Sequence, residues 1–534
     1  MAASVGDSQD FLVDSSYDYN DRPEISATLK KISDYGYFYS EDEYYINLSQ
    51  AEKIKFDQDL ELLSENFDNV IYPQMREIFG EEWNPGIDGD ERITILFTKT
   101  QENVGGYFNP NDEYKKENIV DEKSNEREML YLNSIFIGNE RIESFLAHEF
   151  QHMITWYHKT KLRNITDDIW LNEARSEYSS TVIGYDDNYA SSNLRARADN
   201  LMGNQTDSLT EWKNKIYDYS SVNLFSQYIA DHFGSQIFRT MIGDASVGIQ
   251  SIEDSLKEEG YPETTFRDIF SNWTIANYIN NRTFSEDSAY GYMNANLNYD
   301  NFHFKPTNSY SIKQGEENSI EISNTLKDWS SKYYKFIGDI SDGADKNLEI
   351  KFNGDNSGNF GVSYILFKND QIIKVEKLIL DDQQDARLYI ENFNSDVSSL
   401  VLIPSSEKQN SGFGGDINSY PFSISAKLGE SIIYPDGSLL ESINDPKVYL
   451  IENGKKRWFT SAAAFISGGY KWENITQVLP DELSIYSNGE NISALGSKPN
   501  GSLIKASGPE VYLIENGKKR WFTSAAAFIS RGYK

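Results

Sequence analysis

The sequence contains no cysteine, and histidine occurs only five times in 534 residues. Disulfide bonds and thiolate ligands are therefore excluded, and a zinc ion could be bound only by histidine and carboxylate side chains. Long hydrophobic runs are also absent: no stretch of about 18 apolar residues is present, so we expect no transmembrane helix. Residues 1–7 lack the charged and apolar regions of a signal peptide, and we interpret them as a terminus exposed after such a peptide is removed.

Positive charge is scarce as well: the sequence contains 50 Lys and Arg residues but 83 Asp and Glu residues, which gives a formal net charge of −33. A chain with this charge repels phosphate backbones, which argues against nucleic acid as a partner. Acidity favours solubility and bound cations such as calcium. Asp88 and Asp90 could bind calcium, but the segment 84–90 that contains them is also typical of an ordinary turn.

The distribution of patterns along the chain predicts several folding units. Residues 1–25 are polar and predicted to be loose. Residues 26–300 place strands first and helices after, with a strand-rich part at 26–140 and a helical part at 141–300, which indicates an α+β domain. Residues 301–430 contain short strands separated by turns at regular intervals, as in a β-sandwich.

The C-terminal part contains a repeat, because the sequence of residues 448–467 returns unchanged at 511–530. We divide this part into a first module at 431–497 and a second at 498–534, which stops inside the repeat. Each is predicted to be a small β-rich module with one helix, and residues 452–454 suit a hairpin turn.

His148 and His152 lie four residues apart in a predicted helix over 143–159. Their imidazoles therefore project from one face and can bind one zinc ion. Glu149 lies beside them and could take a proton from zinc-bound water and pass it to the leaving amine of a substrate. Zinc lowers the pKa of such a water to roughly 7, which supplies hydroxide at neutral pH. A buried helix with two structural histidines is the alternative that the motif alone leaves open.

A second predicted helix, over 168–184, carries Glu173 and Glu177 one turn apart. Together with the histidine motif, this arrangement resembles the gluzincin superfamily of zinc peptidases, whose thermolysin-type members use an acid on a downstream helix to complete the metal site. The resemblance implies that Glu173 is the third zinc ligand. It also implies that Glu177 accepts the free ring N–H of His148 and fixes its tautomer.

His158 is a rival third ligand, because it follows His152 at the spacing found in metzincins. Metzincins have a glycine between the second and third histidines that turns the chain out of the helix, and this sequence has Thr155 there. We therefore expect the helix to continue past Thr155 and His158 to point away from the metal.

Peptide hydrolysis also needs a donor for the developing oxyanion. The predicted helix over 219–233 resembles the gluzincin helix that opens with a catalytic tyrosine, and this match selects Tyr219. Tyr217 and His232 remain alternatives, as does a purely structural tyrosine.

Gly105, Gly106 and Tyr107 open a short predicted strand that could be the edge strand pairing with an extended substrate. The two glycines would let the substrate backbone approach closely. An ordinary hairpin fits the same residues.

The zinc helix and the following Trp170-Leu171-Asn172-Glu173 resemble hyicolysin-type neutral metallopeptidases over roughly residues 26–290. The resemblance implies a zinc metalloendopeptidase that acts on proteins outside the cell or on the bacterial cell surface, with one catalytic zinc ion. One alternative is a zinc aminopeptidase, although the Gly-x-Met-Glu-Asn motif of that class is absent. The other is a surface adhesin with an inactive protease domain.

The C-terminal regions resemble accessory parts of bacterial proteins. Residues 301–430 resemble sandwich domains that follow secreted peptidases, and the repeats resemble modules of surface proteins. Lys455-Lys456-Arg457 beside Trp458 could bind an acidic cell-envelope polymer, although a basic hairpin around a core tryptophan fits these residues too. We expect the whole chain to be a monomer.

Overall fold

The structure, a computed structural model, describes residues 3–119, 123–286, 288–312, 319–338, 346–408, 419–429, 434–443, 445–478, 480–493, 501–505, 508–515 and 518–533. The predicted boundaries at 430/431 and 497/498 lie outside the described residues, as does the hairpin turn of the second repeat at 516–517. Both helices and sheets are present, in agreement with an α+β organisation followed by a β-rich region. No helix within the described ranges is long and apolar enough to cross a membrane.

The N-terminal part of the chain forms a six-stranded mixed sheet. Its strands are β1 (Ser8–Leu12), β2 (Glu24–Ile32), β3 (Gly36–Glu41), β4 (Ile93–Thr98), β5 (Gly106–Phe108) and β6 (Met129–Asn133), in the order β1-β2-β3-β4-β6-β5. Strand β4 lies in the centre between two parallel neighbours, and all six of its residues are buried. Its apolar sequence, with few polar side chains, suits a strand covered on both faces. β5 pairs with β6 and is the last strand of the sheet.

The expectation that residues 1–25 are loose is wrong for the described part of this segment. β1 pairs antiparallel with β2, and Phe11 is only 1% exposed because it packs against Tyr39 on one face of the sheet. The apolar run Phe11-Leu12-Val13 is short, and the strand is stabilised by a partner farther along the chain.

The described residues before 300 also form ten α-helices, of which α2 and α4 pack on the sheet face opposite Phe11. The ten are α1 (Asp42–Asn47), α2 (Gln50–Asn66), α3 (Tyr72–Phe79), α4 (Arg141–Thr155), α5 (Ile169–Val182), α6 (Asn193–Gly203), α7 (Ile216–Phe233), α8 (Ile237–Gly243), α9 (Gly248–Glu258) and α10 (Phe266–Ile279). The helices predicted over 143–159, 168–184 and 219–233 are confirmed with shifted ends. A π-helical turn, Trp156–Lys161, continues α4, so the chain does not leave the helix at Thr155.

The strands beyond residue 300 form two further sheets. Their strands are β7 (Asn308–Ile312), β8 (Ile320–Lys327), β9 (Tyr334–Gly338), β10 (Lys346–Gly354), β11 (Phe360–Lys368), β12 (Gln371–Lys377), β13 (Asp385–Phe393), β14 (Ser399–Ser406) and β15 (Ser419–Gly429). The orders are β13-β10-β15-β8 and β12-β11-β14-β9-β7. The two sheets enclose a core of their own, as in a sandwich. α10 packs on the outside of this unit, where the Trp329 ring lies 4.6 Å from Phe266 and 5.1 Å from Phe270.

The two repeats form separate small sheets. The first repeat contains the strands β16 (Leu439–Ser442), β17 (Asp445–Glu452), β18 (Lys455–Trp458), β19 (Ile475–Val478) and β20 (Ser487–Asn488). Its helices are α11 (Ala462–Ser467) and α12 (Pro480–Ser484). The second repeat contains β21 (Leu503–Lys505), β22 (Val511–Glu515), β23 (Lys518–Trp521) and the helix α13 (Ala525–Ile529). Thus the first module has two short helices where one was predicted. The hairpin turn is confirmed there, since Asn453 and Gly454 adopt φ of 54° and 67° between β17 and β18.

Candidate metal centre

Helix α4 presents an apolar stripe to the sheet and its two histidines to the opposite side. Ile142, Leu146 and Phe150 recur at helical spacing and are buried in the main core. His148 and His152 are one turn apart, and their Nε2 atoms lie 3.2 Å from each other. The packing of α4 therefore directs both imidazoles to a single point.

Helix α5 brings a carboxylate to the same point. Glu173 Oε2 lies 3.3 Å from His148 Nε2, and Glu173 Oε1 lies 3.7 Å from His152 Nε2. Within the described ranges, this is the only group of three or more His, Asp or Glu side chains whose ligand atoms lie within 4.8 Å of one another. Asp88 and Asp90, considered for calcium, belong to no such group; the backbone N–H of Asp90 donates to Asp88 Oδ1 in a turn.

The spacing of these three residues fits a zinc ion. Zn–N and Zn–O bonds of about 2.0–2.2 Å in a tetrahedral site place neighbouring ligand atoms roughly 3.3–3.6 Å apart. The observed separations of 3.2, 3.3 and 3.7 Å fall close to that range. Glu173 Oε2 is buried and accepts no hydrogen bond, which suits an oxygen that faces a cation.

The charges around the two histidines favour a positive ion. Burial acts to lower the pKa of His148, but Glu173, Glu149 and Glu177 outweigh it and raise this pKa to about 9. Burial lowers the pKa of His152 to about 4, against the opposing effect of Glu173. The centre therefore places one imidazole that readily stays neutral next to another that lies in a negative field.

Glu177 lies on the Nδ1 side of His148 and accepts hydrogen bonds from several side chains. Its Oε1 is 3.8 Å from His148 Nδ1, which is longer than a hydrogen bond. Arg197 donates to both of its carboxylate oxygens at 2.7 Å, and Asn193 and Asn223 donate to Oε2. Burial would raise the pKa of Glu177, but Arg197 lowers it, so this carboxylate stays ionised beside the imidazole.

Two supporting residues were missed by the sequence reasoning. Ser176 Oγ lies 3.1 Å from His152 Nδ1 and donates to Gln151 Oε1, so it fixes the ring nitrogen that faces away from Glu173. Arg197 comes from α6, which no motif marks. Ser176 stands next to Glu177 and could have been found from helical spacing, whereas nothing in the local sequence connects Arg197 with the site.

Glu149 lies between the two histidines and the edge strand β5. A Cβ atom added to Gly106 would come within 3.2 Å of Glu149 Cγ and 2.7 Å of the Tyr131 backbone oxygen, so only glycine fits there. Burial raises the pKa of Glu149 to about 7, Glu173 adds to the rise, and His148 and a backbone hydrogen bond from Phe108 oppose it. Strand β5 therefore runs directly past this carboxylate.

The other predicted strand residues take different positions. At Gly105, an added Cβ would lie 2.8 Å from the Phe145 ring, so this position also requires a small residue. Tyr107 points to the other face, where its ring stacks on Tyr131 at 4.3 Å. The outer edge of β5 pairs with no strand of the described chain.

Tyr219 lies one turn inside α7, near the carboxylates of the centre. Burial raises its pKa, and Glu173, Glu177 and Glu149 add to the rise while Arg197 opposes it. Its hydroxyl donates to Asn214 Oδ1 at 2.8 Å. Tyr219 is thus a protonated phenol close to the three carboxylates.

The alternative site residues Tyr217, His232 and His158 are not part of the cluster of metal-binding side chains. Tyr217 is 40% exposed on the first turn of α7. His232, at the far end of the same helix, lies 3.0 Å from the backbone oxygen of Gly291. His158 Nε2 lies 2.9 Å from the Glu81 backbone oxygen and is not among the clustered metal ligands, as expected from the continued helix.

One tyrosine from the N-terminal segment approaches the centre without any signal in the sequence. The Tyr17 ring lies 4.9 Å from the Tyr107 ring of β5. Burial raises the pKa of Tyr17, and Asp14, Glu149 and Glu173 add to the rise. The carboxylates of the centre therefore raise the pKa values of two tyrosines, Tyr17 and Tyr219, from distant parts of the chain.

Comparison with known proteins gives one relative among the curated proteins. The chain is 26% identical over 257 residues to the neutral metalloprotease ShpI of Staphylococcus hyicus. The match covers 43% of this chain and 56% of the staphylococcal protein, so the two share about half of their length. No protein-family model matches the sequence. The similarity supports a relationship to metalloproteases.

Two solved structures each resemble about a quarter of the chain. The pre-peptidase C-terminal domain of a Bacillus anthracis collagenase is 11% identical, with a TM-score of 0.16, over 23% of this chain and 98% of that domain. The lysozyme inhibitor PliG of Aeromonas hydrophila is 11% identical, with a TM-score of 0.15, over 23% of this chain and 96% of that protein. Similarities at this level assign neither a fold nor a function.

Proposed function

We propose that the protein is a secreted zinc metalloendopeptidase of the gluzincin type, related to hyicolysin-type neutral metallopeptidases. The observation that carries this proposal is the convergence of His148, His152 and Glu173, with Glu149 placed between them and an unpaired edge strand. The relationship to a neutral metalloprotease supports the same activity.

In this proposal His148, His152 and Glu173 hold the zinc ion. A bound zinc ion would polarise the scissile carbonyl and lower the pKa of a water molecule at the site. Glu149 takes a proton from the attacking water and passes it to the leaving amine. Burial raises the pKa of this carboxyl group, which suits a residue that must first accept and then donate a proton.

The remaining residues orient a zinc ligand and the substrate peptide, and they stabilise the developing oxyanion. Glu177, fixed by Arg197, holds His148 in one orientation. Tyr219 keeps its proton and donates it in a hydrogen bond to the developing oxyanion, after exchanging Asn214 for the substrate. The outer edge of β5 pairs with the extended peptide, and Gly106 allows its close approach to Glu149.

The aminopeptidase alternative needs an acidic pocket for the free amine of the substrate. The carboxylates closest to the centre, those of Glu149, Glu173 and Glu177, already have other roles in the proposed mechanism. A peptide blocked at its N-terminus distinguishes the two activities, because an endopeptidase cleaves it and an aminopeptidase does not.

The proposed function is tested with wild-type protein and Glu149→Gln on an N-terminally blocked, internally quenched peptide and on casein. We expect wild type to bind one zinc ion per chain and to cleave both substrates. Glu149→Gln should retain zinc and lose about 100- to 10,000-fold in kcat, because it lacks the general base. Wild type that binds no zinc and cleaves nothing would favour the adhesin alternative.

We also propose that the repeats contact an acidic polymer of the cell envelope and that the chain acts as a monomer. Residues 431–534 carry 12 Lys and Arg against 10 Asp and Glu, whereas residues 1–430 carry 38 against 73. In β23, Lys518, Lys519 and Arg520 are exposed beside Trp521, which is 55% exposed. Replacing these three cations by Glu in the full chain should weaken binding to a phosphate-containing wall polymer; unchanged binding would contradict the proposal.

A further inference from the structure

The loop between β1 and β2 is fixed beside the edge strand. Asp18 and Arg22 form an ion pair at 2.7 Å, and Asp18 bridges to Thr100 in the connection between β4 and β5. The backbone N–H of Gln101 donates to the Tyr17 backbone oxygen at 2.8 Å, and the Gln101 side chain donates to the Ser16 backbone oxygen. Residues 14–21 are therefore attached to the part of the chain that leads directly into β5.

A further contact joins the loop to β5 itself. The backbone N–H of Asp14 donates to the Tyr107 hydroxyl at 3.1 Å, and the Tyr17 ring lies 4.9 Å from the ring of the same tyrosine. The neighbours of Tyr107 in the strand are Gly106 and Phe108, which flank Glu149. Tyr17 is thus separated from the proposed general base by one strand, and this strand ends the sheet.

Tyr17 has the exposure and chemistry of a residue that meets a ligand. It is 40% exposed, although one side of its ring is covered by Tyr107. Burial raises the pKa of its hydroxyl, and Asp14, Glu149 and Glu173 add to the rise, so the phenol stays protonated. A protonated phenol can donate a hydrogen bond to a peptide carbonyl while its ring packs against an apolar side chain.

We propose that Tyr17 is a substrate-contacting residue and that loop 14–21 forms the wall of the peptide-binding cleft on the β5 side of the metal centre. Tyr219 belongs to α7 and approaches from the helical side, so the peptide would lie between parts of the chain about 200 residues apart. This inference rests on the proposed peptidase function, because it assigns part of the cleft of that same site.

Tyr19 offers a matched control within the same loop. It is 38% exposed, nearly the same as Tyr17, but its ring faces the cations Arg22 and Lys99. A substitution at Tyr19 therefore disturbs the loop to a similar degree without removing the ring that packs against β5.

The test compares Tyr17→Phe, Tyr17→Ala, Tyr19→Phe and Tyr19→Ala in the full chain, with kcat and KM measured on the internally quenched peptide. We expect Tyr17→Phe to lower kcat/KM about 2- to 10-fold, as for one lost hydrogen bond, and Tyr17→Ala to lower it further. Both Tyr19 variants should match wild type. Zinc content and the unfolding temperature are measured for all four proteins, so that a disturbed fold is recognised.

A second measurement separates binding from catalysis. The same substitutions are made in Glu149→Gln, and the Kd of the uncleaved peptide is measured. A weaker Kd with Tyr17→Ala and an unchanged Kd with Tyr19→Ala support the contact. Equal effects at both positions would report only a disturbed loop and overturn the inference, as would two Tyr17 variants that bind and cleave like wild type. Wild-type protein that neither binds nor cleaves the peptide would instead contradict the proposed function itself.

Discussion

The metal-binding side and the substrate side of the candidate site are built in different ways. The metal-binding side uses residues 148–177, which lie on two consecutive helices and are joined by buried contacts. The substrate side combines Tyr17, Gly106 and Tyr219, which come from an N-terminal loop, an edge strand and a later helix. A compact sequence motif therefore supplies the metal ligands, whereas the cleft depends on how distant elements pack.

This difference affects how far each side tolerates change. Glu177 is held by Arg197, Asn193 and Asn223, so a ligand-side carboxylate has little freedom to move. On the substrate side, Tyr17 is 40% exposed and Tyr219 is only partly buried. We expect loss of a metal ligand to abolish metal binding and activity together, and substitutions on the substrate side to reduce activity while zinc remains bound.

Among the variants that test the difference between the two sides, we expect Glu173→Ala to cause the largest loss of zinc binding and activity. The variant loses one of three metal ligands, so its zinc affinity should fall by more than the about 10- to 100-fold typical of a lost supporting contact, and activity should fall with it. Zinc content after dialysis and peptide cleavage measure both quantities.

His158→Ala is the matched control for Glu173→Ala. It removes the rival ligand, whose imidazole lies against the Glu81 backbone, and should leave zinc content and activity unchanged. If His158→Ala lost zinc and Glu173→Ala kept it, the metal-binding side would have been assigned to the wrong residues.

On the substrate side, we expect Gly106→Ala to cause a smaller loss of activity. The added methyl group would lie too close to the Tyr131 backbone and to Glu149, so the strand or the carboxylate must shift by a few tenths of an ångström or more. Because misplacement of a catalytic group by about 1 Å can cost about 100-fold, kcat should fall by up to that factor while zinc content stays at one per chain.

Gly203→Ala provides the control for this substitution, since a Cβ atom at Gly203 meets nothing within 4 Å. It should cleave the peptide like wild type. Equal activity of Gly106→Ala and Gly203→Ala would show that β5 does not position Glu149, and the comparison between the two sides would then lose its structural basis.

The sequence predicts the helix that carries His148 and His152 and its continuation past Thr155, because the signals for both are local. Helical spacing places His148 and His152 on one face, and Thr155 in place of a glycine predicts that α4 continues. Tyr219 was expected at the opening of its helix but lies one turn inside, because α7 begins at Ile216. Helix ends depend on capping contacts, which the apolar pattern does not encode.

The remaining features depend on contacts between distant residues. Phe11, Leu12 and Val13 form a short apolar run in a polar segment, and the pairing with β2 and the contact with Tyr39 explain why Phe11 is buried. Arg197 reaches Glu177 across 20 residues from another helix, and Tyr17 reaches β5 from the start of the chain. No periodicity or motif of a single segment could have predicted these contacts.

The most direct test of the central claim is a crystal structure of the zinc-loaded protein, with diffraction measured on both sides of the zinc absorption edge. The account predicts one anomalous peak bonded to His148 Nε2, His152 Nε2 and a Glu173 oxygen at about 2.0–2.2 Å, with Glu177 next to His148 Nδ1. A peak ligated by His158, or no zinc between α4 and α5, would contradict it.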